Sequence, residues 1–327
     1  MSKELSLVTL AARRHLSRIG ISFFAFFAVT FAAQILLVGL VSALRPAWLD
    51  APIFVWLQSV AVMYGLAFPL YYLVLRPLPT KLSAERRMRP RELCILFFIS
   101  FAVMYITNLF GVAINSLTDA ILGRSSSAGA TEIITDSPLY LTVIFAVIIG
   151  PIVEEIMFRG ILLPRLLPFG EGFAVLTSAL LFGLFHGNFS QFFYAFAIGL
   201  IFALVTARTG RLRYTVILHV LLNFFGSVPA TLLARRTERL DLDTLEGEAL
   251  LENPEALATL LLSALYSILL LATVALGLFF LSRYARRMRP RPAEYPIPKG
   301  EGRYLVLSVG GVLYALTLLF LFVTSYL

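Results

Sequence analysis

Residues 93–117 read LCILFFISFAVMYITNLFGVAINSL, a stretch free of Asp, Glu, Lys and Arg. As an α-helix rising about 1.5 Å per residue, it is long enough to cross a hydrocarbon layer of about 30 Å. Its apolar residues run consecutively, without the alternation of a barrel strand, and an open sheet would leave backbone groups unsatisfied in lipid. The stretch is therefore a membrane-crossing helix. Outward from it, similar runs occur at 21–44, 53–75, 139–163, 173–188, 190–207, 213–232, 257–282 and 303–326. The expected fold is all-α, a polytopic transmembrane helical bundle of about nine spans forming one integral membrane domain over 1–327. Merging two of the three short central runs would give eight. The first run follows a basic segment, as in a signal peptide, but it exceeds an h-region of roughly 7–15 residues and reads as an uncleaved anchor.

Composition agrees. Of 327 residues, 59% are hydrophobic and 14% charged, with a mean hydropathy of +0.87. Soluble domains run to about 25% charged residues. The net charge of +8 has a membrane use, since no basic stretch is interleaved with an aromatic platform for nucleic acid. With the N-terminus cytoplasmic, 22 of the 27 Lys and Arg fall on inner segments, and only Arg45, Arg124, Arg235, Arg236 and Arg239 lie outside. Eight spans would break that alternation. Residues 227–256 form an acidic extracytoplasmic segment with Glu238, Asp241, Asp243, Glu246, Glu248, Glu252 and Glu255, read as a solvated loop or surface helix. The single cysteine, Cys94, excludes an internal disulfide and reads as a small buried hydrophobe.

Ionisable residues in mid-membrane cost about 2.5–3.5 kcal/mol on insertion scales, so each calls for a reason. They concentrate in three runs. The fourth holds Gly150-Pro151-Ile152-Val153-Glu154-Glu155-Ile156-Met157-Phe158-Arg159-Gly160. Glu155 and Arg159, at i and i+4, suit a helical ion pair, whereas Glu154 points about 100° away and has no partner in this segment. Pro151 removes a backbone hydrogen bond and is expected to kink the helix. The fifth run supplies Phe182-Gly183-Leu184-Phe185-His186-Gly187-Asn188, where Gly183 and Gly187 would admit a neighbouring helix closely. The seventh supplies His219 and Asn223, again at i and i+4. At 1.5 Å per residue, Glu154, His219 and His186 lie about 13, 9 and 20 Å from the inner ends of their spans, which permits convergence in the inner half of the bilayer. The third histidine, His15, reads as a solvated residue of the basic N-terminal tail.

These residues carry a resemblance. Glu154-Glu155-xxx-Arg159, Phe182-xxx-His186 and His219-xxx-Asn223 resemble the three ordered motifs of the CPBP family (CAAX protease and bacteriocin-processing, or Abi), which includes the type II CAAX prenyl endopeptidase. The likeness covers about 139–227, a motif-bearing catalytic core. It implies a membrane endopeptidase in which Glu154 with His186 activates a water, His219 and Asn223 stabilise the oxyanion, and Glu155 and Arg159 hold the site together. Imidazole N–H and amide NH₂ are suitable oxyanion donors.

The residues leave the cofactor open. Glu154, His186 and His219 together make a zinc set with an open position, yet there is no His-Glu-x-x-His helix, and the metal-free reading is preferred. The partners expected are the lipid bilayer and a membrane-associated peptide or protein substrate, prenylated CAAX-type or bacteriocin-related, with no nucleic acid. The location expected is the cell membrane, multi-pass. Two other classes fit the same residues: a proton- or cation-coupled transporter using them as a relay, and a non-catalytic immunity or scaffold protein. Against the transporter, no inverted repeat is visible and the polar residues occupy one segment.

Overall fold

The computed structural model describes residues 3–81, 86–123, 137–242, 252–291 and 300–326. Within them the chain forms α1 (Lys3–Leu44), α2 (Pro52–Leu75), α3 (Pro90–Leu122), α4 (Leu139–Phe169), α5 (Glu171–Phe185), α6 (Phe189–Thr209), α7 (Leu212–Arg239), α8 (Pro254–Tyr284) and α9 (Val309–Thr324). Seven of these are long and apolar enough to span a membrane, while α5 and α9 are shorter apolar helices. Each coincides with one of the nine apolar runs. The chain is a multi-pass membrane protein.

The ends sort as the charge pattern requires. At one end, Lys81 N–H donates to Pro164 C=O at 2.8 Å and Arg86 N–H to Thr209 C=O at 2.9 Å. Arg208 pairs there with Glu171 at 3.1 Å. At the other end, the Trp56 indole N–H meets Ser137 Oγ at 2.8 Å, and Arg235 donates to the Ser137 carbonyl. Segments expected on the same side of the membrane therefore meet at the same end of the bundle. Of the acidic segment, the first part continues α7 as helix to Arg239, which pairs with Glu255 at 2.9 Å. Asp243, Glu246 and Glu248 lie outside the described residues, as does Arg124.

The most enclosed of the spanning helices is α6, which packs along α5 and α3 and touches α4 and α7. Close packing needs small residues because lipid supplies no hydrophobic drive between helices. A Cβ on Gly199 would meet Ala179 at 3.1 Å, and one on Gly183 would meet Phe192 C=O at 3.0 Å. The outer helix α8 instead turns Leu261, Ile268, Leu269 and Leu271 outward, as lipid contact allows. Around Phe23, an aromatic cluster of Tyr71, Phe158, Phe185 and Tyr314 ties α1 to α2, α4, α5 and α9.

Three sequence readings need correction. The basic segment before residue 21 is not a tail but the first turns of α1. His15 is accordingly 6% exposed and meets the Phe169 ring edge-on at 4.8 Å. The cause is a stripe at helical spacing, Ala12, Leu16, Ile19, Phe23 and Phe26, that buries one face while Arg13 lies over the Tyr304 ring at 3.9 Å. Cys94 is exposed on α3 rather than buried. Finally, α5 stops at Phe185, so His186 caps its C-terminus and Gly187 turns at φ +68°. That left-handed conformation favours glycine, and Asn188 then caps α6 by accepting from Gln191 N–H at 2.9 Å.

Candidate active site

Helix α4 carries both glutamates, and its backbone is irregular where they sit. Thr142–Ile149 and Ile156–Leu162 are π-helical, flanking an α-helical Gly150–Glu155. Gly150 N–H bonds Phe145 C=O, five residues back. In the same register the next residue would bond Ala146, but Pro151 has no N–H to give. Asn223 on α7 fills the vacancy, its Nδ2–H donating to Ala146 C=O at 3.0 Å. The expected proline kink is thus a register change, and a π-bulge is a common way for a helix to re-aim side chains at a functional site.

The two glutamates end up in unlike surroundings. Glu155 is fully buried, and its Oε1 lies 3.1 Å from Arg159 Nη1. The same oxygen accepts from His219 Nδ1–H at 3.1 Å. Arg159, also fully buried, stacks over the Phe182 ring at 4.2 Å and reaches Gly199 C=O at 3.5 Å. Desolvating this guanidinium is tolerable because a carboxylate, a π-face and a carbonyl surround it. Glu154, by contrast, is 20% exposed at its side chain and approaches His219 Nε2 only to 3.8 Å, beyond hydrogen-bond length. Tyr64 of α2 and Tyr194 of α6 stand within electrostatic reach of Glu154.

His186 comes from the α5–α6 turn. Its Nδ1–H donates to Phe182 C=O at 2.9 Å, which leaves Nε2 as the lone-pair nitrogen of the neutral ring. Glu154 and His219 are both within its electrostatic reach. Phe182 stands among the polar groups, 5.1 Å from the His186 ring and 5.8 Å from that of His219. Phe202 packs against the His219 ring at 5.5 Å.

The structure therefore brings Glu154, Glu155, Arg159 and His219 into one cluster, places His186 beside it across Phe182, and engages Asn223 with the α4 backbone. Sequence reasoning missed the aromatic walls Phe182 and Phe202 as contacts, and also Tyr64 and Tyr194. No motif flagged the tyrosines, since they come from spans whose only signature was hydrophobicity. As for zinc, no group of three His, Cys, Asp or Glu side chains among the described residues is close enough to hold a metal ion. The set Glu154, His186 and His219 is not assembled as ligands.

Comparison with known proteins bears on the same segment. Residues 136–225 match the family described as Rce1-like, the type II CAAX prenyl endopeptidases. The chain is similar to the membrane-embedded CAAX protease MroQ of Staphylococcus aureus (strain USA300), at 29% identity over 45% of this chain and 62% of that protein. It is similar also to YdiL of Bacillus subtilis (strain 168), named as a candidate membrane peptidase, at 29% identity over 47% of this chain and 63% of that protein. The chain thus covers less than two thirds of the length of either relative. No solved structure matches it.

Proposed function

We propose that this chain is an intramembrane endopeptidase that hydrolyses peptide bonds of membrane-associated substrates, with Glu154 as general base. The observation that carries the reading is the inequality of two adjacent glutamates. Glu155 is tied at 3.1 Å to both Arg159 and His219, whereas Glu154 is partly exposed with one long contact at 3.8 Å. An engaged carboxylate can position; an unengaged one can accept a proton. All six site residues lie inside the segment similar to CAAX prenyl endopeptidases, which supports the reaction class.

In the proposed reaction a water donates one proton to Glu154, and its oxygen attacks the peptide carbonyl. His186 Nε2 accepts from the same water and orients it. The oxyanion that forms receives the Nε2–H of a doubly protonated His219 ring, whose Nδ1–H stays on Glu155, and the second Nδ2–H of Asn223. Collapse breaks the C–N bond, and the proton held by Glu154 passes to the leaving amine, giving a carboxylic acid and an amine. Enclosure by Phe182 and Phe202 excludes bulk water and strengthens each of these dipoles. The substrate class is a membrane-anchored peptide, prenylated CAAX-type or bacteriocin-related, reached from the arginine-rich end, which the charge pattern assigns to the cytoplasm.

The test is cleavage of a panel of anchored and prenylated peptides by purified protein. Wild type should cleave at least one, with Glu154→Gln and His186→Ala losing about 10²–10⁴-fold in rate, the range for a general base. Undiminished cleavage by Glu154→Gln would sink the mechanism.

A further inference from the structure

The start of α3 and the ends of α6 and α8 enclose a cavity of about 680 Å³, within the roughly 300–1,000 Å³ of ordinary ligand sites. It joins two chemistries. Its mouth carries Arg86, Arg87, Arg89, Arg91 and Arg208, against one carboxylate, Glu92, among the described lining residues. Its wall is apolar, made by Ile95, Ile99, Ile201, Leu204 and Val205. Arg91 and Ile99, both lining the cavity, lie about 12 Å apart along α3. Two mouth arginines are held in position, Arg86 by Glu92 at 2.5 Å and Arg208 by Glu171 at 3.1 Å.

A cationic rim over an apolar slot running into a membrane matches an amphiphile of the opposite sign. A soluble anion would use the rim and leave the slot without a partner. A zwitterionic lipid would fill the slot and leave the excess positive charge uncompensated. An anionic phospholipid satisfies both, its phosphate on the guanidinium groups and its acyl carbons along the wall, and basic pockets between membrane helices are suited to such headgroups. We propose that this cavity is an anionic-phospholipid site. Its location links it to the candidate active site. Ile201 lines the cavity, and the next residue, Phe202, packs against His219 at 5.5 Å, so a bound lipid braces the helix that backs the histidine. The proposal stands independently of the protease reading, because its test measures binding.

The experiment is thermal unfolding of the delipidated, purified chain during titration with phosphatidylglycerol, phosphatidylcholine or inorganic phosphate. A saturable rise in Tm is expected with phosphatidylglycerol alone. The exposed pair Arg87→Gln/Arg91→Gln should weaken the apparent Kd by roughly 25-fold. Leu204→Trp, which fills the slot, should abolish saturation in a protein that remains folded. An equal rise with phosphatidylcholine would overturn the proposal, as would one with inorganic phosphate. So would wild-type affinity in the arginine pair, or retained saturable binding in folded Leu204→Trp, which would reduce the effect to surface electrostatics.

Discussion

Nδ1 of His219 stands 3.1 Å from Oε1 of Glu155, a contact between α7 and α4 across 64 residues of sequence. It joins the Glu155–Arg159 ion pair into a buried triad and leaves the opposite ring nitrogen facing Glu154 at 3.8 Å. One hydrogen bond thus both fastens two helices and directs the histidine. Adjacent glutamates on one helix acquire different surroundings because only one of them lies on the face turned toward Arg159.

That division predicts opposite phenotypes for two isosteric substitutions. Glu155→Gln leaves Arg159 buried and unpaired, at a cost of about 3–5 kcal/mol. Glu154→Gln removes no short contact, so Tm should stay near wild type while turnover falls about 10²–10⁴-fold. Thermal unfolding and peptide cleavage measured on both variants check this. A destabilised Glu154→Gln with a stable Glu155→Gln would reverse the assignment.

Asn223 offers a sharper test, because its amide serves the carbonyl that Pro151 leaves without a donor. Asn223→Ala should destabilise by about 1–3 kcal/mol, the penalty for an unsatisfied buried acceptor. Pro151→Ala restores a backbone N–H to α4, so most of that penalty should vanish in the double variant. On the proposed mechanism activity should not return with it, since the amide assigned to the oxyanion is still missing. A double-mutant cycle on Tm, with cleavage read in parallel, separates the two roles.

Arg159 is held by a carboxylate, a ring face and a carbonyl at once, a geometry that a planar guanidinium meets and an ammonium does not. Arg159→Lys should therefore behave almost as a loss, and Phe182→Leu should cost about 0.5–2 kcal/mol through the lost cation–π contact. Equal Tm for wild type and Arg159→Lys would show that charge alone matters there.

Much of this was legible beforehand, for identifiable reasons. Uninterrupted apolar runs set the helices, and ionisable residues within them set the site, because lipid makes both conspicuous. The Glu155–Arg159 pair followed from spacing alone. What escaped depended on context. The apolar run 173–188 reads as one helix that includes His186, whereas Gly187 makes a left-handed turn that ends α5 at Phe185. The stripe of Leu16, Ile19 and Phe23 recurs at helical spacing among basic residues, so continuous hydrophobicity does not reveal it and His15 reads as solvated. Asn223's bond to Ala146 rests on a π register that no spacing rule reveals.

Metal dependence has a defined expectation. With no three ligating side chains grouped among the described residues, hydrolysis should continue unchanged after exhaustive treatment with a chelator and should not rise on adding Zn²⁺. Loss on chelation with recovery on Zn²⁺ would mean that Glu154, His186 and His219 draw together around an ion when substrate binds.

Orientation in the membrane can be fixed with single thiols. The charge pattern assigns the exposed Thr80, between α2 and α3, to the cytoplasm and the exposed Glu238, at the far end of α7, to the outside. In a Cys94→Ala background, which removes the natural thiol on α3, Glu238→Cys should react with a membrane-impermeant maleimide in intact cells. Thr80→Cys should react only after permeabilisation. The reverse pattern would turn the bundle over, moving the arginine-rich cavity to the outer leaflet and opening Glu154 to substrates from the other side.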